Sequence, residues 1–409
     1  MPGLDAAAIA KRFPALHRTQ RGRTVVFADA PGGTQVPASV IDAMAAYLSD
    51  SNANEGGAFA TSRETGAVVA AARAAAADLL GCAATEVVFG PNMTTLAFAL
   101  SRSLARDLGP GDEVVVTRLD HDANIAPWVA AAEDSGATVR WVDITTPDCS
   151  LDMASLEAAL GDSTRLVAFP LASNAVGTIP DASEVVRLAR RTNALVVADA
   201  VHLAPHQLID ARLGVDFLFC SPYKFFGPHM GVMYGRKHLL DELSPYKVRP
   251  SSDESPARWE TGTKNHEALA GLCACVDYLA ELGDAQGDRR SRLENAFTTI
   301  ATHERGLTTR FLAGLEHLPG VELFGISDPG DVALRTPTFA LRFTGMSPRD
   351  AATKLGARGI FTWDGNYYAL AVMQRLGLEE SGGALRIGFC HYHSAEDVDR
   401  VLEALGELP

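Results

Sequence analysis

Between Glu86 and Tyr234 the chain repeats one pattern: a run of four or five mostly apolar residues, a polar turn, then a stretch with helical spacing. The runs predict strands at Glu86–Phe89, Glu113–Thr117, Thr138–Val142, Arg165–Phe169, Ala194–Ala198, Phe217–Cys220 and Gly231–Tyr234. Several are apolar at nearly every position, as strands are when helices cover both faces of a sheet. Helices fit between them at Thr94–Arg106, Ile125–Asp134, Met153–Leu160 and Ala182–Arg191, and Gly109-Pro110-Gly111-Asp112 breaks helix from strand. This alternation is the signature of an α/β layer fold with a mostly parallel sheet. Such sheets bind ligands in the crevice beyond the carboxyl ends of their strands.

After Gly262 the pattern changes to long helices, about Glu267–Leu282 and Arg289–Leu318. Strands at Thr338–Phe343, Gly359–Trp363 and Ala384–Gly388 then alternate with helices at Pro348–Ala357 and Ala395–Leu405. The expected organisation is an N-terminal segment (1–25) packed on the last domain, a large α/β domain (26–264), a helical connector (265–318) and a C-terminal α+β domain (319–409). A length of 409 residues suits two or three domains.

Composition narrows the function classes. A formal net charge of −14 argues against a nucleic-acid groove or a membrane-surface patch, which need clustered Lys and Arg. Met1-Pro2-Gly3-Leu4-Asp5 lacks the basic and apolar regions of a signal peptide, and the alanine-rich Ala67–Leu80 stretch is too weakly apolar to span a bilayer. The six cysteines form no CxxC pair and no Cys/His ligand cluster, so no metal site is expected. The reading is a cytoplasmic protein with reduced thiols.

Four segments carry polar residues just past predicted strands. In Ser221-Pro222-Tyr223-Lys224-Phe225-Phe226-Gly227-Pro228 a lysine sits among aromatics, surroundings that disfavour the ammonium and free an amine for Schiff-base chemistry. A surface loop lysine is the plain alternative. Asp199, in Leu195-Val196-Val197-Ala198-Asp199, ends a buried strand where an acid can keep a pyridine nitrogen protonated, or merely cap a helix; His202 follows closely. Gly90-Pro91-Asn92-Met93-Thr94-Thr95 offers backbone N–H groups, hydroxyls and a helix N-terminus, a cradle for phosphate or an ordinary cap. His121, in Asp120-His121-Asp122-Ala123-Asn124-Ile125-Ala126-Pro127-Trp128, can stack on a flat ring and move protons. Each signal is weak alone; His121, Asn174, Asp199 and Lys224 together fall past parallel strand ends and converge on one crevice.

On these residues the chain, from about Val26 to Leu405, resembles the cysteine desulfurase-like branch of aminotransferase class V, fold-type I enzymes that use pyridoxal 5′-phosphate (PLP). His121-Asp122-Ala123-Asn124-Ile125-Ala126-Pro127-Trp128 is similar to the family's His-x-Ala-Asn-x-x-Pro-Trp stretch, and Ser173-Asn174-Ala175-Val176-Gly177 to its Ser-Asn-x-x-Gly. The resemblance implies a large domain with a mostly parallel seven-stranded sheet and a smaller C-terminal domain. It implies Lys224 as the Schiff-base lysine, Asp199 as the pyridinium partner, His121 stacked on the ring, and Asn174 beside the phenolic oxygen; His202 replaces a Gln of the family, and its imidazole is able to hydrogen-bond that oxygen or to be a satisfied interface histidine. Asn92, Met93, Thr94, Ser221 and Tyr223 would serve the phosphate. Glu260-Thr261-Gly262-Thr263 resembles the stretch whose Gly262 and Thr263 would reach the phosphate of the neighbouring subunit in a homodimer, and Arg386 matches the arginine that binds the substrate α-carboxylate. Asn54, Phe59, Trp363 and Asn366 are plausible substrate contacts.

One departure matters. Desulfurases carry a nucleophilic cysteine on a mobile loop of the small domain; in the corresponding Phe361-Thr362-Trp363-Asp364-Gly365-Asn366-Tyr367-Tyr368 there is none. Tyr367 or Tyr368 stands near that position and would protonate a leaving group. The expectation is a lyase that cleaves the C–S bond of cysteine or an S-substituted cysteine. Oxidative decarboxylation, epimerisation or transamination would use the same residues. Sulfur transfer to a carrier partner, or a non-catalytic binding role on a borrowed fold, are the other readings.

Overall fold

The computed structural model describes residues 4–283 and 286–408, so Met1–Gly3, read above for a leader, and Pro409 lie outside it. All seven expected strands of the α/β section are present: β1 (Val87–Gly90), β2 (Glu113–Thr117), β3 (Thr138–Val142), β4 (Thr164–Pro170), β5 (Leu195–Asp199), β6 (Phe217–Cys220) and β7 (Gly231–Gly235). They form one sheet in the order β1-β7-β6-β5-β4-β2-β3. Neighbours from β6 to β3 pair in parallel, while β7 runs antiparallel to both β1 and β6. The central strands are buried on both faces because their residues are apolar on both faces; β3, with Arg140 and Trp141 exposed, takes the edge.

Two expectations at element ends change. Glu86 belongs to a 3-10 turn, Ala84–Glu86, and not to β1, because its carboxylate accepts the Ala83 N–H at 3.1 Å and closes that turn. The apolar run expected as a strand at Gly359–Trp363 does not join the second sheet as one piece. Its Ile360 bridges Val26 instead, and the sheet strand begins at Trp363.

That second sheet contains β8 (Val321–Phe324), β9 (Thr338–Phe343), β10 (Trp363–Gly365) and β11 (Ala384–Gly388), antiparallel in the order β8-β9-β11-β10. β8 escaped the sequence reading because its charged, half-exposed VELF is short and lies at an edge. The helices Arg289–Leu315 and Ala395–Gly406 cover one face, where Phe389 packs edge to face against both Phe311 and Phe339. The N-terminal stretch lies against this unit: Gln20 donates to the Gly356 carbonyl, Thr24 accepts from Arg400, and Asp29 bridges Gly388. A long helix, Ala60–Leu80, of which only the alanine-rich part stood out in sequence, packs on His266–Ala280. No helix among the described residues is long and apolar enough to cross a membrane.

Candidate active site

The carboxyl ends of five strands open into one cavity. Each strand end contributes its next few residues. After β1 come Asn92, Met93 and Thr94; after β2, His121 and Ala123; after β4, Ala172 and Asn174; at and after β5, Asp199, Val201 and His202; after β6, Ser221, Tyr223 and Lys224. Ten residues singled out by sequence thus line a single wall-to-wall space, which is the convergence that parallel strand order produces.

At the β1 end, Asn92 caps the helix Met93–Leu104 by accepting the Thr95 N–H at 2.8 Å. β7 runs directly behind this turn, and a Cβ on Gly231 would lie 2.3 Å from the Asn92 carbonyl carbon, so only glycine fits there. The Thr94 and Ser221 hydroxyls line the cavity without hydrogen-bond partners among the described residues. Free hydroxyls beside a helix N-terminus suit a phosphate dianion.

His121 is held by a buried ladder behind it. Thr117 donates to Asp120 at 2.6 Å, Asn124 donates to the other Asp120 oxygen at 2.8 Å, and the Trp128 indole donates to Asn124 at 3.1 Å. The sequence motif therefore codes a scaffold as well as a site histidine. His121 Nδ1 accepts the Ala123 N–H, which puts the ring proton on Nε2. Burial, with help from Lys224 and Arg386, holds its pKa down to about 3, so it is a neutral, flat ring.

Lys224 is driven the same way. Burial and the Arg386 charge lower its ammonium to about 7, with Asp199 opposing, and its Nζ donates to the Pro31 carbonyl. Asp199 accepts the Val201 N–H at 2.7 Å through Oδ1; burial raises its carboxyl to about 6 against the pull of that bond and of Lys224. A cationic ring nitrogen against the remaining oxygen would restore the carboxylate.

Arg386, on β11, is buried with its guanidinium 4.4 Å above the Tyr367 ring. Its Nη1 donates to the Asn174 carbonyl and its Nε has no partner. Burial lowers even this arginine to about 10. Asn174 gives an N–H to the Tyr367 carbonyl at 2.9 Å, and its own Oδ1 is buried without a partner. Tyr223 stacks on His229 at 4.9 Å and 8°.

The other expected site residues lie apart from the cavity lining. Tyr367 is half-buried with its hydroxyl bonded to the Ala384 carbonyl, whereas Tyr368 is 74% exposed and stacks on His121 at 5.6 Å and 23°. Asn366 accepts the Tyr368 N–H and donates to Glu379; Trp363 is exposed, against Gly32. Asn54 and Phe59 are exposed ahead of the helix Ala60–Leu80. Gly262 and Thr263 are exposed beside Pro91 and His229, in a second cavity. Sequence reading missed Asp29, Pro31, Thr336 and Thr338. The last was visible as a polar residue opening an apolar strand.

A seven-stranded, mostly parallel sheet whose strand ends gather a deprotonation-prone lysine, a buried strand-end acid, a flat neutral histidine and an anion cradle defines a fold-type I PLP enzyme. The chain belongs to the aminotransferase class-V family, whose model matches residues 26–401. A "Probable cysteine desulfurase 2" from Mycobacterium leprae is 31% identical over 98% of this chain and 95% of its own length. An "Aminotransferase-like protein FGM3" from Gibberella zeae is also 31% identical, over 97% and 96%. Among solved structures, the apo cysteine desulfurase of Thermococcus onnurineus superposes with a TM-score of 0.89 at 26% identity, over 100% of this chain and 98% of that one. The cofactor of this enzyme is PLP, and the unpartnered Thr94, Ser221 and Asn174 Oδ1 atoms are consistent with a polar ligand in the cavity.

Proposed function

We propose that this enzyme is a lyase that expels the sulfur substituent from Cβ of cysteine or an S-substituted cysteine, consuming water and giving a thiol, pyruvate and ammonia. The observation that carries the reading is the turn Asn366–Tyr368, at the position of the desulfurase cysteine loop. It holds no thiol, and its Tyr367 and Tyr368 carbonyls are tied to Asn174 and to the Asp122 N–H. A loop bound this way is poorly suited to carry sulfur out to an acceptor.

The thiols elsewhere support the same reading. None of the six lines the cavity. Burial pushes the two half-exposed ones, Cys82 and Cys273, up to about 12 and 11, and raises Cys390 further, so none is a ready thiolate.

Bound PLP supplies an electron sink that weakens the bonds at Cα of an amino-acid substrate. Asp199 would hold the ring nitrogen, His121 the ring face, and the Asn92–Thr94 turn with Ser221 the phosphate. Arg386 would take the substrate carboxylate, a planar anion that matches its fork. Lys224 Nζ, an amine that is half deprotonated near neutral pH, is suited to remove the Cα proton. Tyr368 is the better proton donor to the departing sulfur: the Tyr367 hydroxyl is committed to Ala384, and burial pushes it well above the usual phenol range. Gly262 and Thr263, outside this chain's own cavity, would serve the phosphate of a second subunit.

The test is to turn over cysteine, alkylate the protein and search all six cysteines for persulfide by mass spectrometry. Pyruvate accumulation without any persulfide supports the lyase. A persulfide formed at the turnover rate, with alanine as product, removes it.

A further inference from the structure

Within the cavity wall, His202 follows β5 and is buried. Its Nε2 lies 3.2 Å from the Thr336 hydroxyl and 3.0 Å from the Thr338 hydroxyl, both from the segment entering β9 of the second sheet. The ring thus has one nitrogen committed away from the cavity, and Nδ1 has no hydrogen-bond partner among the described residues. The titratable and charged groups around it are His206, Lys224, Arg386 and His121; burial first, then the charges of Lys224 and Arg386, hold the imidazole well below its usual range and so neutral.

A neutral imidazole carries one proton, and the surrounding hydroxyls decide where. Thr336 spends its own proton on the Gly177 carbonyl at 3.3 Å. Thr338 is fully buried and has no other acceptor for its hydroxyl proton among the described residues. If Nε2 carried the ring proton, the Thr338 hydroxyl would be a buried donor without an acceptor, at a cost of about 1–3 kcal/mol. If Thr338 donates to Nε2, every proton on this side is used, and the ring proton must sit on Nδ1.

We propose that Thr338 is a positioning residue: its hydroxyl donates to His202 Nε2 and fixes the tautomer in which Nδ1–H donates to an anionic oxygen in the cofactor cavity, the phenolic oxygen of PLP. Asn174 has already given one of its N–H groups to the Tyr367 carbonyl, which increases the weight His202 carries on that oxygen. The inference rests on the cofactor and not on which substrate bond breaks.

A donor to the phenolic oxygen draws charge from it and loosens the proton that the oxygen shares with the Lys224-linked nitrogen. Removing the donor therefore raises the pH midpoint of the visible cofactor band, measured in substrate-free holoenzyme. Thr338→Val is expected to raise the midpoint by about one pH unit or more, the size of one hydrogen bond to a charged group. Thr338→Ser should restore it, and Thr338→Val should add nothing in a His202→Phe background. An unmoved midpoint in a Thr338→Val enzyme that still binds PLP overturns the proposal. Should that variant fail to fold, nitrogen-15 spectra of histidine-labelled wild-type holoenzyme decide directly, with His202→Gln used for assignment: a protonated Nδ1 upholds the tautomer, and a protonated Nε2 overturns it.

Discussion

Asn174 donates its side-chain N–H to the carbonyl of Tyr367 at 2.9 Å, tying the cofactor cavity of the large sheet to a turn of the small one 193 residues away. The same residue's backbone carbonyl accepts from Arg386 at 2.8 Å. Tyr367 and Tyr368 both hold left-handed backbone conformations, with φ of +53° and +59°. Such conformations cost on the order of 1 kcal/mol or more each in non-glycine residues, so the turn needs external bonds to persist.

Asn174→Ala removes one of those bonds. The expected result is faster amide hydrogen exchange across 365–369 and a fall in kcat/KM of about 10- to 100-fold, the size of a lost buried hydrogen bond. PLP should remain bound. Unchanged exchange in the turn would show that Asn174 does not hold it.

The lysine sets a pH dependence on cofactor loading. On the proposed assignment, Lys224 would react with PLP as the free amine, and its folded-state ammonium is lowered to about 7 from 10.5 by burial and Arg386. The rate of PLP incorporation into cofactor-free protein should rise with pH, level off a little above 7, and show no further rise toward 10. Stopped-flow absorbance checks this. The same shift has a sign for stability: between about 7 and 10.5 the unfolded chain holds a proton at this lysine that the folded one lacks. Its contribution therefore grows as pH rises through that window.

The ladder behind His121 is a stability element. Asn124→Ala strips Asp120 of one donor and leaves the Trp128 indole unpaired in the core, two buried losses. Unfolding in urea should show a loss of about 2–3 kcal/mol. A change under about 0.5 kcal/mol would mean water replaces the amide without cost.

Much of this was written locally in the chain. Strands such as Phe217–Cys220 are legible because four consecutive buried residues must be apolar on both faces, and the residues after them are then placed by topology alone. Arg386 was assigned by resemblance, yet its unpartnered Nε and its perch over Tyr367 come from the register of β11 against β9 and β10, which no local pattern encodes. Ile360 misled for the same reason: an apolar run predicts a strand without naming its partner, and the partner here is Val26. The choice between Tyr367 and Tyr368 also lay beyond sequence, since both sit in a turn of two left-handed residues, where strand alternation does not say which side chain faces the site.

The most direct test of the account is a product balance on S-methylcysteine, wild type beside Lys224→Ala, with both proteins incubated with PLP. The account predicts methanethiol and pyruvate in a one-to-one ratio from the wild type, a visible cofactor band that the variant lacks, and no product from the variant. Alanine as the carbon product, or an aldehyde with carbon dioxide, would contradict C–S elimination as the reaction of this site.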